Sequence, residues 1–291
     1  VYLSPFEHNA VTRVMAHLQE QGKLKVRQLP VDPVTLEYDR ENIEGQFRKY
    51  PPDLVVMSHA SNVCGAVAPV MEICAEAKRH GAVTVVDMAQ TAGLVALDVG
   101  SDLVDFAIFA GHKTLYGPLG VGGFVKKQGV ELPPLIFGGT GVDSANQSMP
   151  AEAPARYEAA SANIAAIAGL HAALTWLCSV GWEKIAWQEG ENHRRLLSVL
   201  REFPNVRVIR PAGESVGVVS CLFEGYSSDS IGYVLSQQKV AVRTGLHCAP
   251  SAHRFLNTFP AGTVRFSVGY FNTDYDFEQL RRALEYIEEN G

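Results

Sequence analysis

The chain has 291 residues, 47% of them hydrophobic and 19% charged, enough for roughly two domains of about 150 residues each. Its 26 glycines and 15 prolines fall short of a low-complexity composition, so disorder, collagen and coiled coil are excluded. A net charge of −6 with no Lys/Arg run longer than two offers no footprint for a nucleic-acid backbone and points to small molecules or proteins as partners.

Val1-Tyr2-Leu3 reads as the tail of a strand already under way, and a chain opening on Val rather than Met reads as a fragment. A helix follows over residues 9–21, with Val11, Val14, Met15 and Leu18 on one face and Gly22 as its stop. A strand is expected over 25–31, and then a short helix capped by Asp39 and ended before Pro51-Pro52. Leu54 to Met57 is a continuous apolar run suited to a buried parallel strand. The helix over 69–80 starts on a proline and stops at Gly81. Strands over 83–86, ending in Asp87, and 106–109, leading into Gly111-His112-Lys113, complete an alternation typical of a parallel sheet with crossover helices.

The loop over 137–146, with Gly138-Gly139-Thr140-Gly141, is too glycine-rich for an element interior. Residues 163–182 lack Asp, Glu, Lys and Arg and are long enough to span a bilayer. The alanines, His171, Thr175 and Ser179 there predict instead a helix buried in a globular core. Beyond it the pattern becomes α+β: a helix over 189–201, strands over 206–209 and 216–223, a helix over 229–237, strands over 240–243 and 264–268, and a terminal amphipathic helix opened by Thr273 and Asp276. The expected division is a large domain over 1–178 and a small one over 179–291.

The five cysteines are scattered without a C-x-x-C pair, which argues against a metal site or redox dithiol and for a reducing cytoplasm. No secretory signal opens the chain. Cys64, Cys74, Cys178 and Cys221 are expected as buried small hydrophobes, and Cys248, before Ala249-Pro250, on an exposed loop.

Lys113 at a strand end, with Gly117, Gly120, Gly122 and Gly123 behind it, places an amine where backbone can approach a ligand closely. Alone it is a Schiff-base candidate or a solvated surface lysine. Asp87 ends the preceding strand and Gln90 lies three residues on; an acid so placed can hold a pyridinium nitrogen protonated. Arg265 sits in an otherwise apolar strand, where a guanidinium needs an anion, either a bound carboxylate or a structural acid. Arg243 has the same two readings.

The run Val86-Asp87-Met88-Ala89-Gln90 resembles the D-x-A-Q segment of the class V aminotransferases and cysteine desulfurases, and Gly111-His112-Lys113-Thr114 resembles their lysine motif. Glu7-His8-Asn9, Ser61-Asn62-Val63-Cys64-Gly65, Arg156-Tyr157-Glu158, Arg243-Thr244-Gly245-Leu246-His247-Cys248-Ala249 and Val264-Arg265-Phe266-Ser267 follow in the family's order. The resemblance implies an α/β protein of the pyridoxal-phosphate-dependent transferase fold type I: a large, mostly parallel α/β domain and a smaller α+β C-terminal domain. It implies pyridoxal 5'-phosphate as cofactor, with Lys113 as Schiff-base lysine and Asp87 on the pyridine nitrogen. His8 would stack on the ring, Asn62 and Gln90 would bond the phenolic-oxygen side, His112 would hold phosphate, and Thr140, on a loop that reaches across a dimer, would serve the phosphate of the other copy.

By the same resemblance, Arg265, Arg243 and Asn62 bind substrate and Cys248 receives sulfur from L-cysteine; neighbouring charge makes His247 and Arg243 candidate activators of its thiol, and the cofactor-bound substrate is an equal alternative. The implied function is desulfuration of L-cysteine to L-alanine, with sulfur held on Cys248 for iron–sulfur or other sulfur transfer. Alternatives are a selenocysteine lyase, a cysteine sulfinate lyase, or a non-catalytic truncated domain. The expected partners are L-cysteine, a sulfur-acceptor protein and a second copy in a homodimer, with no nucleic acid and no membrane. Each residue also has a bland reading: His8 as a helix cap, Asn62 as a turn residue, Gln90 as a loop amide. The sequence departs from the family at Ala110, where a hydroxyl is usual, and before Glu7, where the family's phosphate-cradling turn has no counterpart.

Overall fold

The structure, a computed structural model, describes residues 1–290. Its first half runs β1 (Tyr2–Leu3), α1 (Asn9–Glu20), β2 (Arg27–Gln28), α2 (Arg40–Lys49), β3 (Leu54–Ser58), α3 (Val70–Arg79), β4 (Val83–Asp87), β5 (Phe106–Ala110) and β6 (Gly122–Lys126). These strands make one sheet in the order β2-β1-β3-β4-β5-β6, parallel except where β6 runs back along β5. Val55, Val56 and Met57 are buried in succession because both faces of β3 are covered. Helix α3 buries Val70, Ile73, Cys74 and Ala77, the three- and four-residue spacing of one helical face. Because the chain adds β2 on one side of β1 and β3 on the other, the loops leaving β1 and β3 diverge and open a crevice at their carboxyl ends.

The second half runs α4 (Ile164–Val180), α5 (Trp182–Arg201), β7 (Val206–Ile209), β8 (Val218–Phe223), α6 (Ser228–Gln237), β9 (Arg243–Gly245), α7 (Pro250–Phe255), β10 (Thr263–Ser267) and α8 (Asp274–Asn290). Its sheet has the order β7-β8-β10-β9 and is antiparallel throughout. Leu200, Cys221, Phe223, Leu235, Phe266 and Leu284 belong to a core of its own. The two halves meet where the loop after β3 pairs with the lead-in to β8, through the Ala66↔Ser215 bridge and Val216 N–H to the Gly65 carbonyl at 3.0 Å. Gly65 has φ +73°, and a Cβ there would lie 2.6 Å from the Val218 carbonyl oxygen.

Three expectations are corrected, and one further helix had no sequence reading. The stretch expected as a buried helix is α4, but only Ala166, Leu170 and Leu177 are buried; Ile164, Ile167 and Leu174 face outward, and so does Cys178. No single helix is long and apolar enough to cross a membrane among the described residues, and α4 and α5 are bent by 85° at Gly181. The strand expected over 240–243 forms instead as Arg243–Gly245, because only this segment reaches β10. The segment after Cys248 is a helix, α7, with proline in its first turn. Its Ala252 joins the core of the large sheet, and Phe255 packs edge-on to Phe6 at 5.5 Å.

Candidate active site

The carboxyl ends of β1, β3, β4 and β5 deliver the polar residues that the sequence singles out. His8 follows β1, Asn62 follows β3, Asp87 ends β4 with Gln90 after it, and Lys113 follows β5. Together with Ser58, Ala60 and Ala89, these five side chains line one cleft. A second cavity of 230 Å³ shares Gln90 and Lys113 and extends toward Thr114, Glu189, Val216 and Ser267 of the second half. A cavity of 530 Å³ lies elsewhere, around His59, Glu37, Glu72 and Glu214, and holds none of the expected site residues.

Electrostatics link the cleft to the small sheet. Burial lowers the Lys113 amine below the ordinary lysine range, with Arg265 adding to the shift while Asp87 and Cys248 oppose it. A half-buried amine with a depressed pKa is a better nucleophile and proton carrier near neutrality. His8 is likewise lowered, first by burial and then by Lys113. Its Nδ1 accepts the Ala10 N–H at 3.1 Å, so it caps α1. The bland role and a place in the cleft therefore coexist.

Arg265 on β10 and Arg243 on β9 are direct cross-strand neighbours. Neither has a carboxylate partner among the described residues. Like charges so placed repel unless an anion joins them. Arg265 donates Nη1–H to the Asn62 carbonyl at 3.0 Å, and its buried Nε is unpartnered. Arg265 acts on Lys113 electrostatically and has the second guanidinium, Arg243, beside it on the next strand, an arrangement suited to a carboxylate.

Cys248 is exposed, as expected. The Asn62 amide, assigned to cofactor or substrate by resemblance, donates to the His247 carbonyl at 2.7 Å, and its Oδ1 is buried without a partner. His247 is no cationic activator of the thiol. Burial, followed by Arg265 and His253, pushes its pKa down to about 3, and its Nε2 is engaged by Thr263 Oγ1 at 2.8 Å. His112 does not line this cleft and is exposed; the Thr140 hydroxyl, expected to serve a second copy, donates to the Val142 carbonyl of its own loop at 3.3 Å. No cluster suited to a metal ion occurs among the described residues.

Two groups carried no assignment from sequence. Glu7 is fully buried, accepting from Ser58 N–H at 2.7 Å and Ser58 Oγ at 3.0 Å, which ties the loop bearing His8 to the end of β3. Desolvation raises its pKa to about 7. Tyr116 donates to buried Glu189 and accepts the Tyr270 N–H at 3.1 Å, pinning the turn after Lys113 to the second half. A lone acid in the apolar opening run was the available signal for Glu7; none existed for the Tyr116 pair.

The model for the family "Aminotransferase class-V" matches residues 1–280. A cysteine desulfurase of Synechococcus elongatus is 33% identical over 297 residues, covering 99% of this chain and 46% of its own length. One from Serratia proteamaculans is 31% identical, with coverage of 99% and 71%. The chain therefore spans about half of the first relative and under three quarters of the second. Among solved structures, a cysteine desulfurase of Thermococcus onnurineus superposes with a TM-score of 0.87 at 30% identity, covering 99% of this chain and 71% of that one. One from Escherichia coli gives 0.86 at 26% identity with the same coverage. The architecture is that of the pyridoxal-phosphate-dependent fold type I.

The residues present fit the ring end of pyridoxal phosphate. A lysine amine of lowered pKa stands beside the Asp87 carboxylate, and Asn62 Oδ1, Arg265 Nε and the hydroxyl of Thr114 are buried without partners, as groups awaiting a polar ligand are.

Proposed function

Because the chain belongs to the class-V aminotransferase family, we propose that it carries out pyridoxal-phosphate-dependent desulfuration of L-cysteine, yielding L-alanine and sulfur held on Cys248. The observation that carries this reading is that Lys113 and Asp87 line one cleft, and that Arg265 and Cys248 of the second half stand close enough to act electrostatically on the Lys113 amine. The bound cofactor supplies an electron sink that acidifies the substrate Cα–H. Lys113 and Asp87 would hold its ring end, with His8 against the ring. Arg265, assisted by Arg243, binds the substrate carboxylate and so orients Cα toward the Lys113 amine, which takes up and returns the proton there. The Cys248 thiolate attacks the substrate sulfur. The substrate C–S bond breaks, its electron pair stays with Cβ, which takes up a proton to become the alanine methyl group, and Cys248 keeps a persulfide.

A sulfur-acceptor protein would collect that sulfur from the exposed Cys248 loop. A homodimer is supported by the outward apolar residues of α4, Ile164, Ile167 and Leu174, whose spacing of three and seven residues puts them on one side of the helix. Five unpaired thiols suit a reducing compartment such as the cytoplasm.

The test is to incubate the chain with pyridoxal phosphate and L-cysteine and to map persulfide by peptide. Label is expected on Cys248, with alanine formed in step. Cys248→Ser should end sulfur release while leaving cofactor binding intact, because a hydroxyl does not accept sulfur. Sulfur on Cys64 or Cys178, or unchanged turnover in the variant, overturns the reading.

A further inference from the structure

Cys248 sits in an unusual turn. His247 and Cys248 have φ of +49° and +57°, directly after Gly245 at +90° and Leu246. Two successive non-glycine residues in the left-handed region persist only where their surroundings over-determine them. From the large half, the Asn62 amide donates to the His247 carbonyl at 2.7 Å and the Asn9 N–H to the Cys248 carbonyl at 2.7 Å. From the small half, the only side-chain anchor among the described residues is the His247 ring, itself buried.

That anchor has a fixed direction. Ser220 Oγ lies 2.7 Å from the Val63 carbonyl, which can only accept, so the serine hydrogen is spent there. Ser220 must then accept from Thr263 Oγ1 at 3.0 Å, which spends the threonine hydrogen. Thr263 must in turn accept from His247 Nε2 at 2.8 Å. The relay therefore requires the Nε2–H tautomer and leaves Nδ1 bare, as its buried and unpartnered state indicates.

The placement of the relay gives it a purpose. Thr263 and Arg265 are two residues apart on β10 and so share one face, and Ser220 is the cross-strand neighbour of Arg265 on β8. The ring that holds the Cys248 turn is thus bolted to the stretch of sheet that carries the carboxylate-binding guanidinium. We propose that His247 is a positioning residue for Cys248: its Nε2–H bond to Thr263 holds the left-handed turn so that the thiol keeps a set distance from Arg265. This rests on the desulfurase reading, in which Cys248 takes sulfur from a substrate held by Arg265.

Four substitutions in the whole chain with pyridoxal phosphate test it. His247→Leu and Thr263→Val remove the bond; His247→Gln keeps an N–H donor near the Nε2 position, and Thr263→Ser keeps the accepting hydroxyl. The rate of persulfide formation at saturating cysteine should drop about tenfold or more in the Leu and Val variants, with the cysteine KM unchanged, and recover in Gln and Ser. Amide hydrogens of residues 246–249 should exchange about tenfold faster in the Leu and Val variants alone. In the unsubstituted chain, ¹⁵N-histidine NMR should show His247 as the Nε2–H tautomer without titration between about pH 5 and 8. That measurement decides the point even where a variant fails to fold. An Nδ1–H tautomer, a ring that titrates in that range, or equal rates in all four variants overturns the proposal. If Cys248→Ser keeps full turnover, the desulfurase reading fails instead, and the tautomer and exchange results are untouched.

Discussion

Arg265 shows how much a single side chain decides. It is half-buried, its Nε has no partner, one Nη1 bond goes to the Asn62 carbonyl, and its cross-strand neighbour is a second arginine. Burial lowers its pKa and Arg243 lowers it further, so the pair is frustrated until an anion arrives. Arg265→Lys keeps the charge but loses the planar fork. The expected outcome is a rise of about tenfold to a hundredfold in the cysteine KM, the scale of one charge-assisted hydrogen bond. Steady-state kinetics checks it, and an unchanged KM with reduced stability would reassign Arg265 to its tether on Asn62. The chemistry of this residue was legible because a guanidinium in an apolar strand needs an anion. Its bond to Asn62 was not, because those residues lie 203 positions apart.

At the scale of elements, the site depends on how the loop after β3 is clamped to β8. Gly65 permits that approach: it has φ +73°, and an added Cβ would meet the Val218 and Val216 carbonyl oxygens at 2.6 and 2.8 Å. Backbone on both sides cannot yield as a flexible side chain does. Gly65→Ala should therefore cost about 2 kcal/mol or more, read as a lower urea midpoint. Activity should fall with it, because Val63, two residues away, accepts the Ser220 hydroxyl at 2.7 Å. Helix α7 makes a related point. Read by itself, the segment after Cys248 is too short to declare a helical face; it becomes one because Ala252 and Phe255 find the core beside Phe6.

For the whole molecule, buried titratable groups set the response to acid. Desolvation pushes His59 and His253 down to about 4 and His247 to about 3. Each stays neutral when folded but takes up a proton in the unfolded chain below its ordinary value of 6.5. Their contribution is complete above that value and is lost as pH falls toward the folded pKa. Glu7 has the opposite sign: raised to about 7, it stabilises most below the ordinary carboxylate range and loses that contribution as pH rises. Glu189 is raised as well, but His8 and His193 join the lowered imidazoles, so the histidines outnumber the two acids, and each net proton is worth about 1.4 kcal/mol per pH unit. The urea midpoint should therefore fall between about pH 7 and pH 5, and a rise would show that the rings are not held neutral. The exposed face of α4 carries a second expectation at this scale. Ile167, 48% exposed, should hold the proposed dimer together, so Ile167→Glu should shift sedimentation toward monomer without moving the absorbance of bound cofactor.

Local chemistry wrote the strands and helices of the large sheet, the polar residues at the ends of β3, β4 and β5, and the family motifs around Lys113 and Cys248. Such signals are carried by neighbours a few residues apart, where periodicity and chain-breaking residues act. The tertiary structure alone decided the rest. It turned the apolar α4 outward, made α7 a helix, drew the Asn62 amide onto the His247 carbonyl, and left His112 outside the lining of the cleft. It also chose the tautomer of His247, because that choice is made by a hydrogen that Val63 receives from Ser220, and these residues meet only when the two sheets close on each other.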